Sequence, residues 1–259
     1  MRAMRATAEY PPLGAEMTER PRSILVAVDF GAASGRGVAI GSALAERCGA
    51  SLRLLHAGAF DTPPYMTSSE SAAFDPHAGG DHERATHFLN DFGRRYMAGA
   101  FTPLIDDGAP VDTILRESRT SDLVVMGTHG RRGLSRWWLG SVAERVLRET
   151  TGPLLVVHAQ EEALSAAEVF KHVLVHASPP LEGTAARKYA AMLADCFGGD
   201  VMDARYEPLE PSLERTGATL LVVSTPAVRC GAWLSNIGEP IVRFCERPIV
   251  FVPESGTDR

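Results

Sequence analysis

Asp122-Leu-Val-Val-Met-Gly127, continuing into Thr128-His129-Gly130, is an apolar run of strand length that stops on a glycine-rich turn. After nine intervening residues come Gly140-Ser141 and a helical pattern through Val142, Val146 and Glu149. Gly152-Pro153 ends that pattern, and Leu154-Leu-Val-Val157 is a second short apolar run. Runs that are apolar throughout, rather than alternating, suit strands buried on both faces of a parallel sheet. Strand, helix and strand in this order require a right-handed crossover, so the stretch predicts an α/β fold.

The chain upstream extends the same alternation. Ile24–Val28, Leu52–Leu55 and Phe101–Ile105 read as further strands. Between the first two, Ile40, Leu44 and Cys48 fall four apart on a helix that Gly49 closes. Pro110 begins a short helix, as a first-turn proline does. Residues 59–99 form an insertion. Its first part, Asp61–Gly80, is rich in Pro, Ser, Gly and Asp and reads as a surface loop. From Asp81 a helix is expected, with Ala85, Phe88, Leu89, Phe92 and Tyr96 along one apolar stripe. The five strands fit a doubly wound sheet of order 3-2-1-4-5.

The chain also repeats itself. Ser23-Ile-Leu-Val-Ala-Val-Asp29 resembles His172-Val-Leu-Val-His-Ala-Ser178 at an offset of 149 residues, and Leu44–Gly49 resembles Leu193–Gly198 at the same offset. A later block aligns at an offset of 95, where Trp138-Leu139 meets Trp233-Leu234 and Gly152-Pro153 meets Arg247-Pro248. The second copy is therefore about 54 residues shorter. It keeps strands at Val173–Ala177, Val201–Ala204, Leu220–Val223 and Ile249–Val252 and lacks the middle strand, which in a 3-2-1-4-5 order lies at an edge. The expected organisation is a tail over residues 1–21, a first α/β domain over 22–160, a linker over 161–170 and a shortened second domain over 171–259. So small a second domain should lean on the first for burial.

Composition narrows the chemistry. In 259 residues, 45% are hydrophobic, 22% are charged and the net charge is −6, which suits a globular protein and argues against nucleic acid as a partner. No apolar run approaches membrane-spanning length and the N-terminal tail has no secretory core, so no membrane partner is expected and the cytoplasm is the expected compartment. The four cysteines form no CxxC pair and read as reduced thiols. Lys171 and Lys188 are the only lysines, so the first 170 residues hold none. That excludes a P-loop lysine, a Schiff-base lysine and a kinase-type phosphate lysine from the first domain.

Phosphate can be held without lysine. Glycines let the backbone approach a ligand, and free N–H groups at a helix start bind anions. Gly127-x2-Gly130-x9-Gly140-Ser141 supplies both features at the C-terminal end of a strand, where doubly wound folds bind ligands. Asp29 ends the first strand, across the same switch point. This spacing, with Val26-Ala-Val-Asp29 and with Gly152-Pro153, resembles the universal stress protein family, and specifically its ATP-binding subgroup. The resemblance covers residues 22–158 well and 171–253 weakly.

The resemblance implies an adenine-nucleotide alpha-hydrolase-like fold in tandem form, and roles position by position. Ala27, Val28 and Asp29 would border adenine and ribose, with Ala57 closing the adenine pocket. Met126 and Gly127 would lie beside the ribose and α-phosphate. Gly130, Gly140, Ser141 and Val142 would cradle the phosphates, and ATP would bring a magnesium or manganese ion on them. A homodimer, or an internal pairing of the two domains, is the expected assembly. Copy two departs from the motif: Asp29 becomes Ser178, Gly127 becomes Ser224, Gly140 becomes Ser235 and Ser141 becomes Asn236. One nucleotide site per chain is therefore expected.

Structural explanations stand beside these roles. Ser141 and Glu144 fit a capping box, Ser-x-x-Glu. Trp137, Trp138 and Trp233 suit packing. Arg131, Arg132 and Arg136 are either a solvated loop or a phosphate clamp in place of lysine. His77, His82 and His87 recur every five residues, too far around a helix to share one face for a metal. Asp106 and Asp107 read as turn residues. No attacking-water base or catalytic triad can be assembled from local sequence. The leading expectation is an ATP-binding regulatory or stress-protective module without fast turnover. The alternatives are an adenylating or nucleotide-hydrolysing enzyme on the same fold, and a nucleotide-independent interaction protein using strand-five edges or tryptophan surfaces.

Overall fold

A computed structural model of the protein describes residues 20–58, 81–128, 140–159, 164–179, 181–205, 207–227, 241–242 and 245–254. Its strands are β1 (Ser23–Ala27), β2 (Ser51–Ala57), β3 (Thr102–Asp106), β4 (Leu123–Thr128), β5 (Leu154–His158), β6 (His172–His176), β7 (Asp200–Asp203), β8 (Leu220–Thr225) and β9 (Ile249–Pro253). The helices are α1 (Ala32–Cys48), α2 (Asp81–Tyr96), α3 (Pro110–Ser118), α4 (Ser141–Glu149), α5 (Thr184–Phe197) and α6 (Leu209–Thr216).

All nine strands form one sheet, in the order β3-β2-β1-β4-β5-β9-β8-β6-β7. The first five strands run parallel in the order 3-2-1-4-5. The last four repeat that order without its third strand, again in parallel. The two sets meet through β5 and β9, which run antiparallel with Leu155 opposite Val250. The expected internal pairing of two α/β units is thus made by backbone hydrogen bonds between the two fifth strands.

Both faces of the sheet are covered. The side chains of α1, α2 and α5 pack on one face with Ile24, Val26, Leu54, Val173, Val175 and Val250. Those of α3, α4 and α6 pack on the other with Leu25, Val124, Val156, Leu174, Leu221 and Phe251. Each core runs through both sets of strands. The shortened second half shares burial with the first, as its size requires.

Helix ends follow local chemistry. Gly49 takes the left-handed conformation at φ 69° and stops α1; Gly198 does the same for α5 at φ 62°. Ala85, Phe88, Leu89 and Phe92 of α2 are buried as the periodicity predicts, whereas Tyr96 is 40% exposed. Its stripe position comes at the end of the helix, where the chain leaves the sheet. In α4 the buried residues are Ala143, Val146 and Leu147, and Glu149 faces solvent.

The expected capping box does not form. Gly140 is the N-cap of α4, no side chain caps the helix, and Ser141 is its first helical residue. The Glu144 carboxylate instead accepts a 2.7 Å hydrogen bond from Arg148, one turn on. An ion pair at i, i+4 outcompetes the reach back to the cap because the cap residue is one position earlier than the motif assumes.

Candidate functional site

β1 and β4 are neighbours, and their connections leave toward opposite faces of the sheet, so a crevice opens at their C-terminal ends. Ala27 lies beside Met126 on one side and Leu55 on the other. Ala27, Ala57 and Val142 are half-buried, and all three pack against the cluster that contains buried Met126. Four of the sequence-predicted residues are therefore brought together on the face covered by α3 and α4. Small side chains at Ala27 and Ala57 leave this rim open.

Val28 is placed differently. Its side chain is buried in the opposite core. Its N–H donates to the Leu55 carbonyl at 2.8 Å, and its carbonyl accepts from Nδ1 of His56 at 2.9 Å. Both backbone groups of Val28 are committed within the fold, so its part is to hold the strand end. Asp29 is exposed, and its Oδ1 accepts the Gly31 N–H at 2.9 Å. That tight turn puts Phe30 at φ 63°, the one non-glycine residue with positive φ among the described residues. Such strain persists where the surroundings over-determine it. Here they do: the Phe30 ring lies 4.5 Å from His56, 4.7 Å from Phe88 and 5.4 Å from Phe92, measured between ring centres. Sequence reasoning did not single out Phe30 or His56, because backbone strain and ring contacts leave no local pattern.

The two described motif glycines have different reasons. A Cβ on Gly127 would stand 2.6 Å from the Ser34 nitrogen and 2.7 Å from the Ala33 carbonyl carbon. Gly127 is thus required by the close approach of β4 to the start of α1. Gly140 has an ordinary backbone, φ −60° and ψ 153°, and a Cβ there would meet none of the described residues within 4 Å. The described residues give no reason for glycine at this position. The first turn of α4 leaves its leading N–H groups without intrahelical acceptors, and Ser141 is exposed there. Gly130, with His129, Arg131, Arg132, Arg136, Trp137 and Trp138, lies outside the described residues, as do His77, Cys230 and Trp233.

Behind the crevice a buried polar chain runs from the strand end toward the second half. Thr128, the last residue of β4, lies with its hydroxyl 2.8 Å from Nδ1 of His158. The Arg36 guanidinium of α1 donates to the His158 carbonyl at 3.2 Å, and the His158 ring lies near the Cys245 backbone. Burial, helped by the Arg36 charge, pulls the His158 pKa down to about 4, so the ring is neutral near pH 7. On the far side, Asp106 accepts hydrogen bonds from the Gly108 N–H, Thr113 and Arg116, which hold its carboxyl below the usual range. The expected turn residue is instead the last residue of β3, and its bond to Gly108 starts the turn that follows.

In the second half, the position that matches Gly127 carries a side chain. Ser224, which stands where the first half has Gly127, is buried and donates to Glu254 Oε1 at 2.7 Å. The other Glu254 oxygen accepts the Ala185 N–H at 3.4 Å in the first turn of α5. Among the described residues no three His, Cys, Asp or Glu side chains gather to hold a metal; His82 and His87 are exposed on α2. No described helix is long and apolar enough to cross a membrane.

A mostly parallel sheet that begins 3-2-1-4-5, with helices on both faces, defines a doubly wound α/β class of protein. The Universal stress protein family model matches residues 21–158, just over half the chain, and the chain belongs to that family. It is 49% identical over 53 residues to a universal stress protein of Methanocaldococcus jannaschii, a stretch covering 20% of this chain and 31% of that one. Over 108 residues it is 32% identical to Universal stress protein E of Salmonella typhi, covering 40% and 34%. The match spans about a third of the length of these relatives. In fold the chain resembles a universal stress protein from Archaeoglobus fulgidus, with a TM-score of 0.67 at 14% identity, covering 93% of this chain and 99% of that one. A protein of unknown function from Pseudomonas aeruginosa is similar at a TM-score of 0.62 and 12% identity, covering 93% and 95%.

Proposed function

We propose that this universal stress protein binds one ATP per chain, at the β1–β4 crevice, and acts as a nucleotide-dependent regulatory or protective module. The observation that carries the reading is Gly140, a glycine that neither its backbone conformation nor packing among the described residues demands, placed at a helix start that no described side chain caps. A ligand that must come within contact distance of the backbone supplies the missing reason. The residues fit the group. Ala27, Ala57 and Met126 offer an apolar floor for a base, and exposed Asp29 stands at the rim for ribose or base hydroxyl and amino groups. The free N–H groups of Ser141 and Val142, with the Ser141 hydroxyl and Gly130, would hold phosphate oxygens, helped by the α4 dipole. No lysine is needed. Magnesium or manganese would arrive on the phosphates, where it offsets their charge.

One site per chain follows from Ser224 and Glu254, which occupy with a hydroxyl and a carboxylate the second-half positions matching Gly127 and its surroundings. Extraction of the purified protein followed by mass spectrometry should recover an adenine nucleotide, and calorimetric titration of nucleotide-free protein should give one ATP per chain. The Gly140→Ala chain should bind at least about tenfold more weakly, or ~1.4 kcal/mol. Undiminished binding to that variant would remove the site assignment, and two ATP per chain would remove the silent second half.

A further inference from the structure

Cys48 ends α1 and Cys196 lies in the last turn of α5, helices that stand at corresponding places in the two halves. Their Sγ atoms are 3.4 Å apart although the residues are separated by 148 positions in sequence. Both are free thiols; Cys48 is half-buried and Cys196 is 8% exposed. Around them the two halves are already tied by Arg20 to Asp195 at 2.8 Å and by Arg47, whose guanidinium lies 5.7 Å from the centre of the Phe197 ring. A disulfide needs the sulfurs to close to about 2.05 Å, some 1.4 Å nearer than they stand. The backbone can follow, because each helix stops at a left-handed glycine, Gly49 and Gly198, within two residues of its cysteine.

We infer that Cys48 and Cys196 form an intramolecular disulfide under hydroperoxide stress, a covalent staple between the two halves of the sheet. The step balances. The more accessible Cys48 thiolate attacks the peroxide, the O–O bond breaks, and Cys48 becomes a sulfenic acid as one water leaves. The Cys196 sulfur then displaces the sulfenic oxygen as a second water, and the S–S bond forms. Two thiols lose two electrons and two protons, and one peroxide becomes two waters. Burial, together with the Cys196 thiol, pushes the Cys48 thiol up to about 12, so little thiolate exists near neutrality. The staple is therefore a slow response to sustained oxidant, and a thiol reductant of the dithiothreitol type reverses it.

The test is hydrogen peroxide treatment of the full chain over hours, alkylation under denaturing conditions, and peptide mapping without reduction. The expected product is a single chain in which the Cys48 and Cys196 peptides are joined, lighter by two hydrogens. Its melting temperature should exceed that of the reduced chain by on the order of 5–10 °C, because the link closes a long loop. Dithiothreitol should reverse both changes. Cys48→Ser and Cys196→Ser should each abolish the link and the rise, whereas Cys245→Ala should keep the link. Pairing of Cys48 with Cys230, Cys245 or another chain would overturn the inference. So would a Cys48 left as thiol or carried to sulfinic acid, or a Cys48–Cys196 link that leaves the melting temperature unmoved.

Discussion

Two glycines of one motif stand in different surroundings. Gly127 touches the backbone of α1, with Ser34 N 2.6 Å from where a Cβ would sit. Gly127→Ala forces β4 and α1 apart and should cost about 1–3 kcal/mol, read as a lower urea midpoint at unchanged slope. Gly140→Ala fills open space and should leave stability within about 0.5 kcal/mol while ATP affinity falls. Both positions were visible in sequence as motif members, yet their reasons were not. A spacing rule cannot tell a glycine that admits a helix from one that admits a ligand, since that depends on what stands 3 Å away. Ser141 shows the same limit. The Ser-x-x-Glu pattern is satisfied on paper, but a cap is set by where the helix starts, and that is Gly140.

At the level of elements, strands and helices were legible because period and length carry them. Leu-Leu-Val-Val and Ile-Val-Phe-Val suit buried strands, and the assumed doubly wound order made the strand missing from the second copy an edge strand. What could not be read was that these two runs face each other. Strands apolar on both faces carry no mark of which edge they present or in which direction a neighbour runs. The contacts of His158 were equally hidden, since its ring meets Thr128 of β4 while its carbonyl accepts from Arg36 of α1. They make a pH prediction. Folded His158 stays neutral down to about 4, whereas the unfolded ring takes up its proton near 6.5. Between those values the unfolded chain binds more protons, so stability is full above 6.5 and is lost as pH falls toward 4. His176, also held down by burial, acts in the same direction. Denaturant titrations at pH 7 and pH 5 should show a loss that is smaller by about 2 kcal/mol in His158→Gln than in the native chain. An equal loss in both would mean that His158 is not the group responsible.

For the whole molecule, the shared cores predict unfolding as one unit. Phe251 of β9 is fully buried in a cluster that also contains Leu25, Val124 and Val156 of the first half. Phe251→Ala should therefore lower the single thermal transition of the entire chain, by about 3–5 kcal/mol in stability. Two separate transitions in calorimetry, with only one displaced, would show that the halves unfold independently.

The antiparallel seam between β5 and β9 has a consequence for how such a chain can change. In a homodimer one sequence builds both sides of a twofold interface, so every substitution is made twice and neither side can lose its site alone. Joining the two sides in one chain lifts that constraint while keeping the seam. The second half could then lose its third strand and carry Ser224 bonded to Glu254, while the first kept its third strand and Gly127. Tethering lets the two sides of one seam diverge.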